Sequence, residues 1–304
     1  MPELPDILAY IKAIESRVVG GRINGIRLNT PFVLRTVKPS IDEVASCEVR
    51  ALTRIGKRIA LNLENEYYIV IHLMIAGRFQ WKETNAKLPG KLALAAFDFD
   101  NGTLVLTEAG SKRRASIHIV QGREALHQFQ RGGIEPLEAT LESFRDALTY
   151  ENHTLKRSLT DPRLFSGIGN AYSDEILHHA RLSPVKLTGR LTDTEIVTLF
   201  QSTQDVLQEW IRRLVAEAEC EFPKKVTAFR EGMAAHGRYQ KPCPDCGSPI
   251  QRIEYADNEC NYCPTCQTDG KLLADRGLSR LLKSDWPRSL TELEDLKSRY
   301  NPSA

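Results

Sequence analysis

The chain of 304 residues predicts a multidomain α+β protein. One helix leads into an N-terminal β-sandwich or barrel, a helical region follows, and a four-cysteine hairpin precedes a C-terminal extension. Three observations predict this. Apolar spacing changes to period two near Arg22 and returns to helical spacing near Leu141. Five of the seven cysteines crowd between Cys243 and Cys266. Between the two regimes, Gly132-Gly133-Ile134-Glu135-Pro136 has the composition of a hinge. No repeat with a period of roughly 20–50 residues is present, which excludes solenoids and propellers.

Each element has its own warrant. Leu8, Ile11, Ile14 and Val18 fall at helical spacing, and Gly20-Gly21 ends that segment. Ile59, Leu61 and Leu63 alternate, Glu64-Asn65-Glu66 turns the chain, and Tyr68 to Leu73 reads as a buried strand. Leu92 to Phe99 and Thr103 to Thr107 flank Asp100-Asn101-Gly102, whose Asn-Gly pair favours a hairpin turn. Helical spacing then covers Phe144 to Thr149, His153 to Leu159, Ala171 to His179 and Asp193 to Ala218. The tail offers two further helices, Leu272 to Leu282 and Leu290 to Tyr300. The expected divisions are 1–131, 132–236, 237–267 and 268–304.

Composition narrows the class. A net charge of +2 from 41 basic and 39 acidic residues means a polyanion has to be met by a local basic patch. No apolar run approaches the roughly twenty residues of a bilayer span, and the amino terminus lacks a basic segment followed by an apolar one. The expectation is a cytoplasmic protein without membrane contact. Clustered cysteines in such a chain read as metal ligands plus inert thiols, Cys47 and Cys220 standing apart.

Three constellations carry chemistry. Cys243-x2-Cys246 and Cys263-x2-Cys266 lie sixteen residues apart, within the spacing of a four-cysteine zinc ribbon. Cys260-x2-Cys263 is also a legal pair, but Cys263-Pro264-Thr265-Cys266 mirrors Cys243-Pro244-Asp245-Cys246, so Cys260 is set aside. Four protein ligands leave no open position, so one Zn2+ is expected in a structural role. Next, Gly167-Ile168-Gly169-Asn170 precedes an amphipathic helix with early acids, and small residues at a helix start let phosphate approach free N–H groups. On its own this second motif is as consistent with a plain capped helix. Last, Pro2 has a small side chain, so Met1 is expected to be removed, leaving a secondary amine beside Glu3. An α-amino group titrates near ~7.7–8.0 against ~10.4 for lysine, which suits a nucleophile at neutral pH.

Pro2-Glu3-Leu4-Pro5, Gly56-Lys57-Arg58, His72-Leu73, Gly169-Asn170-Ala171-Tyr172 and the four cysteines occur in this order. The set resembles the formamidopyrimidine-DNA glycosylase/endonuclease VIII family across about residues 2–267. The resemblance implies a helix–two-turn–helix DNA-binding element in the helical region. It implies a bifunctional DNA glycosylase and AP lyase of base excision repair, acting on damaged DNA as a monomer, nucleoid-associated in a bacterium. Pro2 would attack C1′ of the damaged nucleotide, Glu3 would move protons at the sugar, and Lys57 would hold the flanking phosphate. Asn170 and Lys156 match phosphate contacts, and His72 belongs to the same DNA-facing set.

Departures from the family pattern fall in the lesion-reading parts. Asn258 stands where an arginine usually grips phosphate, leaving Arg252 as the substitute. Ile75 or Met74 has to fill the gap left by an extruded base. The loop Gly110-Ser111-Lys112-Arg113-Arg114-Ala115 is basic, through Lys112 and Arg113, and has no aromatic wedge. The substrates compatible with this are oxidised purines, oxidised pyrimidines, or single-stranded, bubble or crosslinked DNA. The competing expectation is a damaged-DNA-binding protein without catalysis on the same fold.

Overall fold

A computed structural model describes the chain except for residues 89, 111, 224–228, 256–257, 275–285 and 301–304, and the side chains of 255, 297, 299 and 300. It divides into two compact units. One comprises Met1–Gly133 with Leu207–Thr227, the other Ile134–Val206 with Ala228–Ala304.

In the first unit, helix α1 (Leu4–Val18) precedes eight strands: β1 (Gly25–Leu28), β2 (Val49–Ile55), β3 (Arg58–Leu63), β4 (Tyr67–His72), β5 (Gly77–Lys82), β6 (Ala93–Phe99), β7 (Gly102–Glu108) and β8 (Ser116–Gln121). They form two four-stranded antiparallel sheets, in the orders β1-β6-β7-β5 and β2-β3-β4-β8. The two sheets share one apolar core, a sandwich. Ile59, Leu61, Ile69, Ile71, Ile117 and Ile119 from one sheet meet Phe79, Phe97, Leu104 and Leu106 from the other. The alternation of Ile59, Leu61 and Leu63 follows from this, because only every second residue reaches the core.

Helix α1 closes the core with Ile7, Tyr10, Ile14 and Val18. Tyr10 lies edge-on to Phe79 at 5.5 Å, and its hydroxyl accepts a hydrogen bond from the Phe79 N–H at 3.3 Å. The helix begins earlier than apolar spacing predicts, because Pro5 is tolerated in a first turn. The Asn-Gly turn joins β6 to β7, with Phe99 opposite Gly102. A Cβ at Gly102 would lie 2.4 Å from the Trp81 ring, so that position admits only glycine.

The second unit holds α3 (Leu141–Thr149), α4 (Leu155–Thr160), α5 (Asn170–His179) and the first part of α6 (Asp193–Cys220), while the short α2 (Arg123–His127) belongs to the first. Phe144 packs against Phe165 at 5.0 Å and Phe200 at 5.4 Å. The antiparallel hairpin β9 (Gln251–Tyr255) and β10 (Asn258–Tyr262) leads into α7 (Pro264–Thr268). Of the tail, Leu290–Tyr300 forms α8 as its spacing predicts. The other expected tail helix does not start at Leu272, since 272–274 are non-helical, and its remainder lies outside the described residues. Instead, Lys271 bridges Ser289, the Leu272 N–H donates to the Arg288 carbonyl, and the Leu273 N–H donates to the Tyr262 hydroxyl at 2.8 Å. Among the described residues no helix is long and apolar enough to cross a membrane.

Truncating a side chain at the centre of the sandwich should be costly. Phe97→Ala is expected to destabilise the first unit by about 3–5 kcal/mol, measured by denaturant unfolding.

Candidate active site and nucleic-acid contacts

In the first unit, Pro2 and Glu3 are both buried at the start of α1, Glu3 being 3% exposed. The Glu3 N–H donates to Asp6 Oδ2 at 2.9 Å, and its carbonyl accepts from Ile7, so the helix fixes the position of the residue before it. In the structure Met1 precedes Pro2, and burial lowers the Met1 terminal ammonium below its ordinary range. Glu3 and Asp6 oppose that shift, while Arg78 and Lys57 reinforce it. The amino terminus therefore sits among two acids and two cations, and Arg78 was not singled out by the sequence.

Lys57 lies in the tight turn between β2 and β3, where Ile55 pairs with Arg58. Gly56 takes φ 59° there, a conformation that favours glycine. Arg58 pairs in register with His72 at the end of β4. Arg58 also covers the Phe129 ring at 5.8 Å. Burial, with Arg58, Lys57, Arg131 and His118 adding repulsion, pulls His72 down to about 4. At neutral pH His72 is therefore an uncharged hydrogen-bonding group within a cationic cluster.

The segment after His72 is a tight turn. The Gly77 N–H donates to the Leu73 carbonyl at 2.9 Å, and a Cβ on Gly77 would stand 2.2 Å from that oxygen. Met74 takes φ 53°, and Ile75 at the apex is 60% exposed. Arg78 caps the turn by donating to the carbonyls of Ile75 and Gly77. The basic loop is held from below, because buried Glu108 accepts from the N–H groups of Arg114 (2.9 Å) and Ala115 (3.0 Å). Lys112 is exposed, and the Arg113 guanidinium donates to the Lys91 carbonyl.

In the second unit, Asn170 is the first residue of α5 and donates from Nδ2 to the Glu259 carbonyl on β10 at 2.7 Å. Lys156 donates to the Asn170 carbonyl at 2.6 Å and pairs with Asp174 at 2.5 Å. Asp174 also meets His236 Nδ1 at 2.7 Å and accepts from the Asn261 N–H at 3.1 Å. Glu175 accepts from the N–H groups of Ala234, Ala235 and His236, yet burial still raises its carboxyl above the ordinary range. The early acids of this helix thus act as buried anchors rather than as charges on an exposed first turn. Arg252 stacks on Tyr239 at 4.3 Å and is shared between Glu254 (2.7 Å) and Glu259 (3.5 Å). Asn258 is exposed at the start of β10.

Cys243, Cys246, Cys263 and Cys266 bring their sulfurs together, with Cys243–Cys266 at 3.9 Å and Cys246–Cys263 at 3.4 Å. A tetrahedron with Zn–S bonds of ~2.3 Å has edges of about 3.8 Å, so these residues fit a metal ion. Cys260 lies elsewhere, packed with Ile253 and Tyr262, and burial pushes its thiol up.

A helix-led β-sandwich, a helical unit and a four-cysteine hairpin together define a DNA-glycosylase fold. Residues 1–115 match the formamidopyrimidine-DNA glycosylase N-terminal domain, and residues 133–218 match the formamidopyrimidine-DNA glycosylase H2TH domain. A formamidopyrimidine-DNA glycosylase of Pelotomaculum thermopropionicum is 30% identical over 277 residues, covering 88% of this chain and 99% of its own. An uncharacterized formamidopyrimidine-DNA glycosylase-like protein of Mycobacterium tuberculosis is 38% identical over 151 residues, 50% of this chain and 94% of that one. The Lactococcus lactis enzyme, solved with DNA containing N7-benzyl-Fapy-dG, superposes with a TM-score of 0.78 at 24% identity, over 88% of this chain and all of that one. The chain belongs to the formamidopyrimidine-DNA glycosylase/endonuclease VIII family.

The depressed His72 has a stability consequence. Below pH 6.5 the unfolded chain takes up a proton that the folded state refuses until about pH 4, so stability is lost as pH falls across that window. His72→Gln is expected to remove on the order of 2 kcal/mol of that loss. Wild-type and variant unfolding compared at pH 4.5 and 7.5 checks this.

Proposed function

We propose that the protein is a bifunctional DNA glycosylase and AP lyase of base excision repair, acting on damaged DNA. The carrying observation is the buried Pro2-Glu3 pair at the head of α1, with Lys57 and Arg78 among the charges that reach the amino terminus. With Met1 removed, the Pro2 nitrogen is a secondary amine able to attack C1′. The C1′–N bond to the damaged base breaks and the base leaves. The nitrogen then loses its proton, the C1′–O4′ bond breaks with O4′ taking a proton, and the ring-opened sugar is left as an iminium on Pro2. That cation acidifies the C2′ proton, whose loss expels the 3′ phosphate by β-elimination, and a second elimination can follow at the other side. Glu3 is the acid/base at the sugar, protonating the ring oxygen and then moving protons during elimination. Asp6 keeps Glu3 in place through its backbone. Lys57 with the Arg58–Arg131 cluster suits a flanking phosphate, and neutral His72 offers a hydrogen bond beside it.

Asn170, at a helix start, suits a second backbone phosphate. One Zn2+ held by Cys243, Cys246, Cys263 and Cys266 would close the hairpin and supply no chemistry. Ile75, exposed at the apex of its turn, would enter the space of an extruded base, with Met74 beside it as the alternative. The loop with Lys112 and Arg113 brings charge without an aromatic wedge, which favours substrates whose lesion is already unpaired, since extrusion then costs less. A damaged-DNA binder without catalysis is the second reading. It is favoured by exposed Asn258 and by Arg252, which is tied to Glu254 and Glu259.

Borohydride trapping on DNA with a single abasic site tests the lyase. Untagged protein is expected to form a covalent adduct, and Pro2→Gly or a protein with a blocked N-terminus to lose it. Tight binding with neither adduct nor strand cleavage would establish the binder instead. A lesion panel in bubble and duplex form should show the unpaired context cleaved faster; a strong preference for duplex 8-oxoguanine opposite cytosine overturns the substrate reading.

A further inference from the structure

Beside the four-cysteine cluster stands a fifth donor that the ribbon spacing does not contain. His178, on α5 and 3% exposed, places Nε2 at 3.2 Å from Cys243 Sγ. Its ligand atom also groups with those of Asp245 and Cys266, all within 4.8 Å of one another. A tetrahedral zinc saturated by four thiolates has no position for a fifth ligand. The imidazole is therefore left to act one step outside the metal, as an N–H donor to sulfur. Such a donor has work to do there. Four thiolates around Zn2+ carry two surplus negative charges, and Cys243 and Cys263 are buried away from water. The Cys266 N–H supplies one donor, to Cys263 Sγ at 3.4 Å, and His178 Nε2 stands within hydrogen-bond distance of Cys243 Sγ.

Its place on the helix reinforces the point. Asn170, Asp174 and His178 follow one another at intervals of four, which puts them on one helical face. Asn170 bonds the Glu259 carbonyl, Asp174 accepts from Asn261, and His178 meets Cys243. This row docks α5 along the metal hairpin, with His178 as the member that touches the metal site.

We propose that His178 donates its Nε2–H to the Cys243 thiolate as a positioning residue. It slows metal loss, shields Cys243 from electrophiles, and ties metal occupancy to the helix that begins at Asn170. The inference rests on the zinc reading above, and the test separates the two. Purified full-length wild-type protein is first assayed for zinc by atomic absorption. Zinc-loaded wild type, His178→Gln and His178→Leu are then challenged with 4-(2-pyridylazo)resorcinol, and Cys243 alkylation by iodoacetamide is followed by peptide mass.

Leu fills similar space without a donor, whereas Gln keeps one. The Leu variant is expected to release zinc about tenfold faster and to alkylate faster at Cys243, with Gln recovering most of the difference. If the Leu variant does not fold by circular dichroism, His178→Ala takes its place as the donorless comparison. Release at the wild-type rate from the donorless variant overturns the inference alone. Equal acceleration in Leu and Gln also overturns it, because the ring would then matter only as packing. Wild-type protein without zinc overturns the zinc reading and this inference with it.

Discussion

The Asp174 side chain has no solvent exposure, yet it meets three polar partners drawn from three stretches of the second unit. Lys156 comes from α4, His236 from the segment before the cysteines, and the Asn261 N–H from β10. An unpaired carboxylate in that position would cost several kcal/mol, which these partners together offset. The adjacent Glu175 repeats the arrangement with three backbone N–H donors. The hairpin and the segment leading into it are thus placed against α5 by buried polar groups as well as by apolar contact.

The first unit solves a different problem. Its second and third residues, Pro2 and Glu3, are buried, although chain ends are ordinarily the least ordered part of a domain. Tyr10, Ile7 and Ile14 sink α1 into the sandwich, and the Asp6 cap fixes the residue just ahead of the helix. Order at the terminus is thereby inherited from the core. The proposed chemistry uses that order, because a nucleophile on a frayed end would have to be immobilised at every turnover.

The sandwich was legible where large apolar residues alternate with small or polar ones, as in Ile59, Leu61 and Leu63 with Ala60 and Asn62 between them. In β6 and β7 every residue is buried, Ala93, Ala96 and Val105 packing on the outer side as well, and there the Asn-Gly turn rather than alternation made the hairpin legible. The metal cysteines announce themselves by spacing, and Cys260 was separable because the two knuckles mirror each other. The partners of Lys156 and His178 lie 18 and 65 residues away in sequence. No local pattern distinguishes such a lysine from a solvated one, or such a histidine from a core one. Asp174 and Glu175 were misleading for the same reason, since acids early in a helix ordinarily serve its dipole. Arg78 became visible only once the turn at Gly77 brought it back toward Ile75.

The pairing of Lys156 with Asp174, and of Arg252 with Glu254 and Glu259, also bears on ionic strength. A cation whose charge is already balanced inside the protein displaces few condensed ions when a polyanion approaches it. The slope of log affinity against log salt counts the charges newly neutralised, at about 0.9 per phosphate contact on a duplex. These residues therefore add less to that slope than their number implies. A protein built this way keeps its basic residues without becoming indiscriminately adhesive to nucleic acid.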